Sequence, residues 1–422
     1  MFVMDEKTVL RQYGDAKETY AAVGVDTETV LSAMDKTSLS LHCWQGDDIG
    51  GFEHAAALSG GIMATGNHPG KARNGEELRA DMSKAFSMLP GKHRANLHAM
   101  YAETNGKKVD RDSLRPEHFS AWMDWAEEAG AGLDFNPTYF SHPMSDSGFT
   151  LSSKDESIRR FWVEHTHRCR EISAAMGKRL NKSCVHNIWI PDGMKDTPVD
   201  RLGYRDLLRR SLDEILAVPM DKALMRDAVE GKLFGIGSES FVVGSHDFYV
   251  GYTVANQVML CMDAGHFHPT EIMADKISAL LRFLPELLLH VSRGVRWDSD
   301  HAVILSDDLQ LVMHEVARMN AFAQVNFALD FFDASINRIM AWVIGSRATL
   351  KAIMNAMLEP TLALLAAEDA GNYGRRLALL EEEKAMPSDA VWRMWCQRWG
   401  VPTGAEWIDC VEQYEKDVLL KR

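Results

Sequence analysis

Residues 258–283, VMLCMDAGHFHPTEIMADKISALLRF, contain the pattern that decides the fold. The apolar run 258–263 predicts a buried β-strand, and the amphipathic segment 269–283 predicts a helix that begins with a Pro-Thr-Glu first turn. A second apolar run, 287–292 (LLLHVS), follows soon afterwards. A strand, a helix and another strand in this order are typical of a parallel sheet.

The same alternation recurs along most of the chain. Eight apolar or β-branched runs predict strands at 38–44, 94–100, 132–136, 183–190, 232–236, 258–263, 287–292 and 327–332. Helical patterns follow seven of them, at 74–88, 116–128, 155–176, 200–216, 269–283, 307–322 and 335–344. No helix is predicted after the fifth strand. Eight such units predict an α/β fold, a (β/α)8 TIM barrel.

The pattern also divides the chain into three parts. Residues 1–35 predict an N-terminal helical segment, and residues 36–345 the barrel, which would be the catalytic domain. Residues 346–422 contain only helical patterns. They predict a C-terminal helical extension with apolar surface to bury, and a neighbouring subunit is one place to bury it.

Composition argues against several classes of protein. The chain has 46 Lys and Arg against 60 Asp and Glu, and its net charge of −14 disfavours a nucleic-acid partner. No apolar run is long enough to predict a membrane span, and the charged N-terminus does not resemble a signal peptide. The six cysteines are scattered without a C-x-x-C pair, which disfavours a zinc–cysteine site. We therefore expect a cytoplasmic protein.

Polar side chains lie near the ends of several predicted strands, where barrel enzymes carry their ligands. They are His42, His98, Asp134, Asp263, His290 and Asp330, with Glu230 beside the fifth strand. His266 follows Asp263 in the motif DAGHFHP. In the motif RWDSDH (296–301), Asp298 and Asp300 are two residues apart, so extended backbone would point both to one side. A surface loop is an equal alternative for this pair alone, but its place soon after His290 favours metal.

Counting charges favours two metal ions over one. Five carboxylates are candidates, and His266 and His290 would add neutral nitrogen ligands; the carboxylates are those of Glu230, Asp263, Asp298, Asp300 and Asp330. One divalent ion would leave the carboxylates under-neutralised, whereas two bring the sum of charges to about −1. Carboxylates with a few imidazoles and no thiolate suit Mn²⁺, Mg²⁺ or Co²⁺.

Other residues are candidates for substrate contact. On a strand, Lys232 would face the same side as Glu230 and could donate to a substrate oxygen, with a surface lysine as the alternative. Trp44 and Trp189, at the ends of predicted strands one and four, could wall a sugar pocket, although core packing is as good an explanation for each alone. The glycine-rich segment 45–74 predicts a long loop that could fold over the barrel mouth, with an ordinary surface loop as the alternative.

Seven motifs carry a resemblance to a known family. They are HCWQGDD (42–48), NIWIPDGMKD (187–196), KLFGIG (232–237), DAGHFHPTE (263–271), LLLHVSR (287–293), RWDSDH (296–301) and LDFFDASINRI (329–339). On these motifs the chain resembles the bacterial L-rhamnose isomerases over essentially its whole length. Segment 53–59 departs from the family in being richer in alanine.

The resemblance implies a homotetrameric (β/α)8 barrel that interconverts L-rhamnose and L-rhamnulose. One set of residues resembles the family's structural metal site: Glu230, Asp263, His290 and Asp330. His266, Asp298 and Asp300 resemble the ligands of its catalytic manganese ion. His98 resembles the residue linked to sugar-ring opening, and Lys232 a substrate contact. Two Mn²⁺ ions per subunit are expected, with Co²⁺ or Mg²⁺ as substitutes.

The predicted chemistry is a metal-assisted hydride shift between C2 and C1 of the open-chain sugar. Asp330, Lys232 and His98 are the predicted catalytic residues, with water near Asp330 moving the hydroxyl proton. A base and an enediol provide the rival route. Two-metal carboxylate sites also serve hydrolases, which form a different class. A sugar-binding protein without turnover is a third alternative, but it would not need five converging carboxylates.

Overall fold

A computed structural model describes residues 4–53, 64–235, 237–295 and 300–422. Within these ranges eight parallel strands close into a barrel. They are β1 (Leu39–His42), β2 (Arg94–His98), β3 (Gly132–Asn136), β4 (Cys184–Ile188), β5 (Met225–Glu230), β6 (Met259–Asp263), β7 (Leu287–Val291) and β8 (Val325–Leu329). Each strand pairs with the next along the chain, and β8 pairs with β1. The predicted (β/α)8 barrel is confirmed.

One helix follows each strand of the barrel. In chain order these helices are Gly75–Phe86, Ser120–Glu128, Glu156–Leu180, Arg201–Leu216, His246–Asn256, Met273–Leu280, Asp307–Arg318 and Arg338–Met357. Several of these helices begin at a polar residue whose side chain caps the first turn. The side chain of Asn74 accepts a hydrogen bond from the backbone N–H of Glu77, and Asp155 caps the helix at Glu156 in the same way.

The remaining helices come from the two ends of the chain. They are Glu6–Ala22 and Thr27–Met34 before the barrel, and Thr361–Asp369, Tyr373–Glu383, Ser388–Arg398 and Glu406–Asp417 after it. Helix Glu6–Ala22 packs against helix Ser388–Arg398, so the two ends of the chain meet beside the barrel. Among the described residues, no single helix is both long and apolar enough to cross a membrane. Helices Arg338–Met357 and Thr361–Asp369 reach that length only together, with a 53° bend between them.

The prediction for the fifth strand was wrong. The strand is Met225–Glu230, whereas residues 232–235 form an irregular loop. The charges of Arg226 and Asp227 hid the strand in the sequence. In the structure they are paired at the amino-terminal end of the barrel: Arg226 with Glu286, and Asp227 with Arg170.

Helix His246–Asn256 follows this strand, where no helix was predicted. The Ser245 side chain caps it by accepting from the N–H of Phe248. The final barrel helix is also longer than the predicted 335–344. It runs from Arg338 to Met357 and so continues past residue 345.

The barrel interior brings the polar strand ends together. Ala228, Cys261, Leu288 and Ala328 belong to one buried apolar cluster. Each of them lies two residues before a polar residue at or just past the end of β5, β6, β7 or β8. Because residues two apart on a strand face the same side, the polar side chains point into the barrel above this apolar layer. Those polar residues are Glu230, Asp263, His290 and Asp330.

Candidate metal centre

Four side chains converge at the carboxyl-terminal mouth of the barrel. Ligand atoms of Glu230, Asp263, His290 and Asp330 all lie within 4.8 Å of one another. Nδ1 of His290 is 3.1 Å from Oδ2 of Asp330, 3.3 Å from Oε2 of Glu230 and 3.7 Å from Oδ2 of Asp263. The structure therefore brings together the four residues that the resemblance assigned to one metal site.

Burial and mutual charge shift the pKa values in this cluster. Burial raises the pKa of Asp263 to about 7, an effect to which the nearby carboxylates of Asp330 and Glu230 add. Although burial alone would raise the pKa of Glu230, His290 and His266 hold it below its usual range. Burial would likewise lower the pKa of His290, but Cys261, Glu230 and Asp330 raise it well above its ordinary value. A cation between the carboxylates would relieve this crowding.

Atoms without hydrogen bonds show that the cluster fits a metal ion. Oδ1 of Asp263 accepts hydrogen bonds from Gly265 N at 2.6 Å and Ser292 Oγ at 2.7 Å. Within the described ranges, Oδ2 of Asp263 and both ring nitrogens of His290 have no hydrogen-bond partner, although both side chains are about 1% exposed. Buried polar atoms without partners are costly unless an ion or ligand satisfies them. Three carboxylates and one imidazole suit a divalent ion such as Mn²⁺.

His266 lies beside this cluster. Its Nδ1 is 2.8 Å from the carbonyl oxygen of Gly231 and 3.2 Å from Oε1 of Glu230. Because a carbonyl oxygen can only accept, Nδ1 of a neutral His266 carries the proton, and Nε2 carries the lone pair that a metal needs.

Asp300 also lies close to the cluster. Its Oδ1 is 2.9 Å from the position that a Cβ on Gly265 would occupy, so its carboxylate lies against the turn after β6. Asp298 falls outside the described residues. The structure thus places two of the three predicted ligands of a second metal, His266 and Asp300, near Glu230 and Asp263.

Aromatic rings form a continuous wall beside the centre. The ring of Trp44 is 4.6 Å from that of His98, which is 5.6 Å from Phe140, and Phe140 is 6.0 Å from Trp189. Nζ of Lys232 lies 5.3 Å from the centre of the Trp189 ring. All four predicted substrate contacts therefore belong to one surface. Lys232 reaches it from the loop after β5, and its predicted position on a strand was wrong.

His98 is neutral in this environment. Burial lowers its pKa to about 3. Its Nδ1 lies 3.2 Å from the hydroxyl of Thr138, which also accepts a hydrogen bond from the N–H of Met100. A neutral imidazole held on one side can exchange a proton with an oxygen of a bound molecule.

Trp44 has a role that sequence analysis missed. Its Nε1 donates a hydrogen bond of 3.1 Å to Oδ1 of Asp330. The indole therefore belongs to the aromatic wall and also holds the carboxylate of Asp330, a candidate metal ligand. The motif HCWQGDD places a tryptophan at a strand end but carries no signal for this bond.

Two polar residues near predicted strand ends do not join the centre. Asp134 lies inside β3 and pairs with Arg94 at 2.7 Å, and it also accepts hydrogen bonds from Ser40 and Val185. His42 is fully buried against Phe331, and burial lowers its pKa to about 4. Neighbouring groups satisfy Asp134. Nε2 of His42 accepts a hydrogen bond from the N–H of Phe331 at 3.4 Å, whereas its Nδ1 is buried without a hydrogen-bond partner among the described residues.

Described parts of the glycine-rich loop pack against the segment that follows Asp330. The N–H of His68 donates to the carbonyl of Ala334 at 2.8 Å, and Ala334 N donates to Thr65 O at 3.2 Å. Glu53 pairs with the buried Arg111 at 2.8 Å. Residues 54–63 lie outside the described residues, and the predicted closing of this loop over the barrel mouth stays a prediction.

Metal affinity should rise with pH. A metal ligand must be deprotonated, and Asp263 holds its proton up to about pH 7. The Mn²⁺ association constant of the metal-free protein is therefore expected to fall at least about tenfold for each pH unit below 7. Calorimetric titrations between pH 5.5 and 7.5 would measure this. An affinity that does not change over that range would contradict the assigned protonation of Asp263.

The fold and the site together define a barrel enzyme with a candidate metal centre at its catalytic end. The family model of L-rhamnose isomerase (RhaA) matches residues 7–422. The chain is 55% identical over 408 residues to the L-rhamnose isomerase of Escherichia coli O17:K52:H18 (strain UMN026 / ExPEC), covering 96% of this chain and 97% of the relative. The same figures hold for the L-rhamnose isomerase of Salmonella paratyphi B (strain ATCC BAA-1250 / SPB7). A solved L-ribulose 3-epimerase superposes with a TM-score of 0.48 and 9% identity, over 77% of this chain and 97% of its own.

The chain belongs to the L-rhamnose isomerase family. The predicted enzyme class, an aldose–ketose isomerase, is confirmed. The family also disfavours the two-metal hydrolase, which was the alternative from sequence.

Proposed function

We propose that this enzyme interconverts L-rhamnose and L-rhamnulose by moving hydrogen between C2 and C1 of the open-chain sugar. The observation that carries the proposal is the cluster of Glu230, Asp263, His290 and Asp330, which lies beside an aromatic wall at the mouth of the barrel. Family membership supports the choice of sugar.

The proposed cofactor is two divalent ions per subunit, with Mn²⁺ as the ion used and Co²⁺ or Mg²⁺ as substitutes. The four clustered residues would hold one ion. His266, Asp298 and Asp300 would hold the other. Bound there, the ions supply Lewis-acid polarisation of adjacent sugar oxygens, which stabilises negative charge as the hydrogen moves.

The chain's own residues bind the sugar and move its protons. In the proposal, neutral His98 exchanges a proton with the ring oxygen as the sugar opens. Lys232 donates a hydrogen bond to a sugar oxygen on which negative charge develops. Asp330, oriented by Trp44, receives the C2 hydroxyl proton through a water molecule and returns it by the same route to the oxygen on C1. The rings of Trp44 and Trp189 exclude other water and so keep the transferred hydrogen from exchanging.

The test of the proposed activity is ketose formation from L-rhamnose by chelator-treated enzyme, with and without added Mn²⁺. We expect ketose only after Mn²⁺ is added. Equal ketose formation in the metal-free enzyme would contradict the metal requirement. No ketose under either condition would contradict the substrate.

The route of hydrogen transfer can be tested in D₂O. A shielded hydride shift carries the C2 hydrogen directly to C1, so the expected L-rhamnulose contains almost no deuterium at C1. An enediol route would exchange that hydrogen with solvent through a base. Mass spectrometry and proton NMR of the product, taken early in the reaction, distinguish the routes; heavy deuterium uptake at C1 would exclude the hydride shift.

The C-terminal extension is proposed to contact other subunits in a homotetramer. Support comes from apolar side chains exposed on helices Thr361–Asp369 and Tyr373–Glu383; they are Leu362, Leu365, Tyr373 and Leu377. Sedimentation velocity should report a tetramer, and a monomer at micromolar concentration would overturn the proposal. Cytoplasmic location and the lack of nucleic-acid or membrane partners stay predictions.

A further inference from the structure

A row of buried amides leads across the barrel to the metal centre. The residues come from four neighbouring strands, β2 to β5: Asn96, Asn136, Asn187 and Glu230. Each side chain is 2–3% exposed. Nδ2 of Asn136 donates to Oδ1 of Asn96 at 2.6 Å, and Nδ2 of Asn187 lies 3.2 Å from Oδ1 of Asn136. Nδ2 of Asn187 also donates to Oε2 of Glu230 at 2.5 Å.

The charge on Glu230 fixes the direction of this row. An ionised carboxylate only accepts hydrogen bonds, so the amide nitrogen of Asn187 must face it. The second N–H of that nitrogen then donates to Oδ1 of Asn136, and this turns the nitrogen of Asn136 toward Asn96. Reversing any one amide would bring two donors or two acceptors together. The row therefore presents a donor to Glu230 in a single orientation.

In this arrangement the side-chain oxygen of Asn187 accepts no hydrogen bond from the described residues. Among the described residues its Oδ1 is buried without a hydrogen-bond partner. A buried amide that served only stability would form hydrogen bonds through both its nitrogen and its oxygen. Asn187 keeps its hydrogen bond to Oε2 of Glu230. The other carboxylate oxygen of Glu230, Oε1, lies 3.2 Å from Nδ1 of His266. Asn187 in the barrel wall thus binds one oxygen of the Glu230 carboxylate, and the other oxygen faces His266, a proposed ligand of the second metal ion.

We propose that Asn187 is a positioning residue that holds the Glu230 carboxylate in the orientation a metal ion needs. The inference rests on the proposed metal chemistry. Asn187 itself contacts neither the metal nor the sugar in this account and acts through Glu230. Outer-shell partners of metal ligands influence metal affinity in this way because they fix the orientation of the ligand.

The test compares two exchanges of the same kind within one row. Asn187→Leu removes the donor to Glu230 with little change in volume, and Asn96→Leu makes the same exchange two amides away. Calorimetric titration of the metal-free proteins with Mn²⁺ should show about a 10- to 100-fold loss of affinity for Asn187→Leu. The affinity of Asn96→Leu should stay close to that of the wild type. Circular dichroism and the melting temperature of the metal-free proteins report separately on folding.

Each outcome decides the proposal. Wild-type affinity in folded Asn187→Leu would overturn it, and so would an equal loss in Asn96→Leu, which would indicate a general packing effect. If Asn187→Leu does not fold, Asn187→Gln keeps an amide but displaces it by one methylene; it should also lose affinity, and an unchanged affinity would overturn the proposal. A wild-type protein that binds no Mn²⁺ would instead overturn the proposed function, and this inference with it.

Discussion

Asp263→Asn is expected to lower kcat/KM for ketose formation from L-rhamnose by about 10³-fold and to abolish the response to Mn²⁺. The substitution keeps the size of the side chain but removes one of three carboxylates that face His290. Lewis-acid stabilisation supplies several kcal/mol to a transition state, and each 1.4 kcal/mol corresponds to about tenfold in rate. Initial rates at saturating Mn²⁺ would measure the loss, and near wild-type activity would contradict the role of Asp263.

Asp227→Asn is the matched control. Asp227 lies in β5, three residues before Glu230, and pairs with Arg170 and His186 at the opposite end of the strand. Breaking a buried pair of this kind costs about 3–5 kcal/mol of folding free energy. We therefore expect Asp227→Asn to melt at a lower temperature yet to keep its dependence on Mn²⁺. If it lost that dependence too, the effect of Asp263→Asn would not be specific to the metal centre.

Chelation should lower the melting temperature of the wild-type protein. Removing the ions leaves Glu230, Asp263 and Asp330 to repel one another, and it also removes the linkage between metal binding and folding. Linkage supplies about 2.7 kcal/mol per site when the free ion is at 100 times its Kd. With an unfolding entropy of about 2.1 cal/mol/K per residue over a chain of this length, that is about 3 °C for one site and about twice that for two.

Differential scanning calorimetry with EDTA and with added Mn²⁺ would measure this shift. Asp263→Asn supplies the control, because its metal-free form has one fewer repelling carboxylate and should show little response to the ion. An unchanged melting temperature of the wild type on chelation would contradict the charge count that led to a two-metal site.

Much of the fold could be predicted because seven of the eight barrel strands are apolar runs bounded by clear helical patterns. The fifth strand could not, because Arg226 and Asp227 form ion pairs with residues distant in sequence, and single-sequence periodicity cannot see such partners. The segment 232–235 has the more strand-like pattern, yet it forms an irregular loop after β5.

The polar strand ends of the site could also be predicted, since the barrel gathers them at one mouth. Asp263, His290 and Asp330 were identified in this way, whereas Glu230 was placed only beside a fifth strand whose predicted position was wrong. The structure brings all four together. Asp134 was predicted by the same criterion, but it does not join the metal centre, because it forms an ion pair with Arg94 within the barrel wall.

The contacts that orient the ligands could not be predicted. The bond from Trp44 to Asp330 joins residues 286 positions apart, and the row of three asparagines that ends at Glu230 spans four strands. Three asparagines in or at the ends of predicted strands were the available signal, but their hydrogen bonds depend on strand register, which periodicity leaves undetermined.

The most direct test of the metal centre is anomalous diffraction from crystals grown with Mn²⁺. We expect one anomalous peak within bonding distance of Glu230, Asp263, His290 and Asp330, and a second beside it that contacts His266, Asp298 and Asp300. Active crystals with no peak among the first four residues, or with their only peak elsewhere on the barrel, would contradict it.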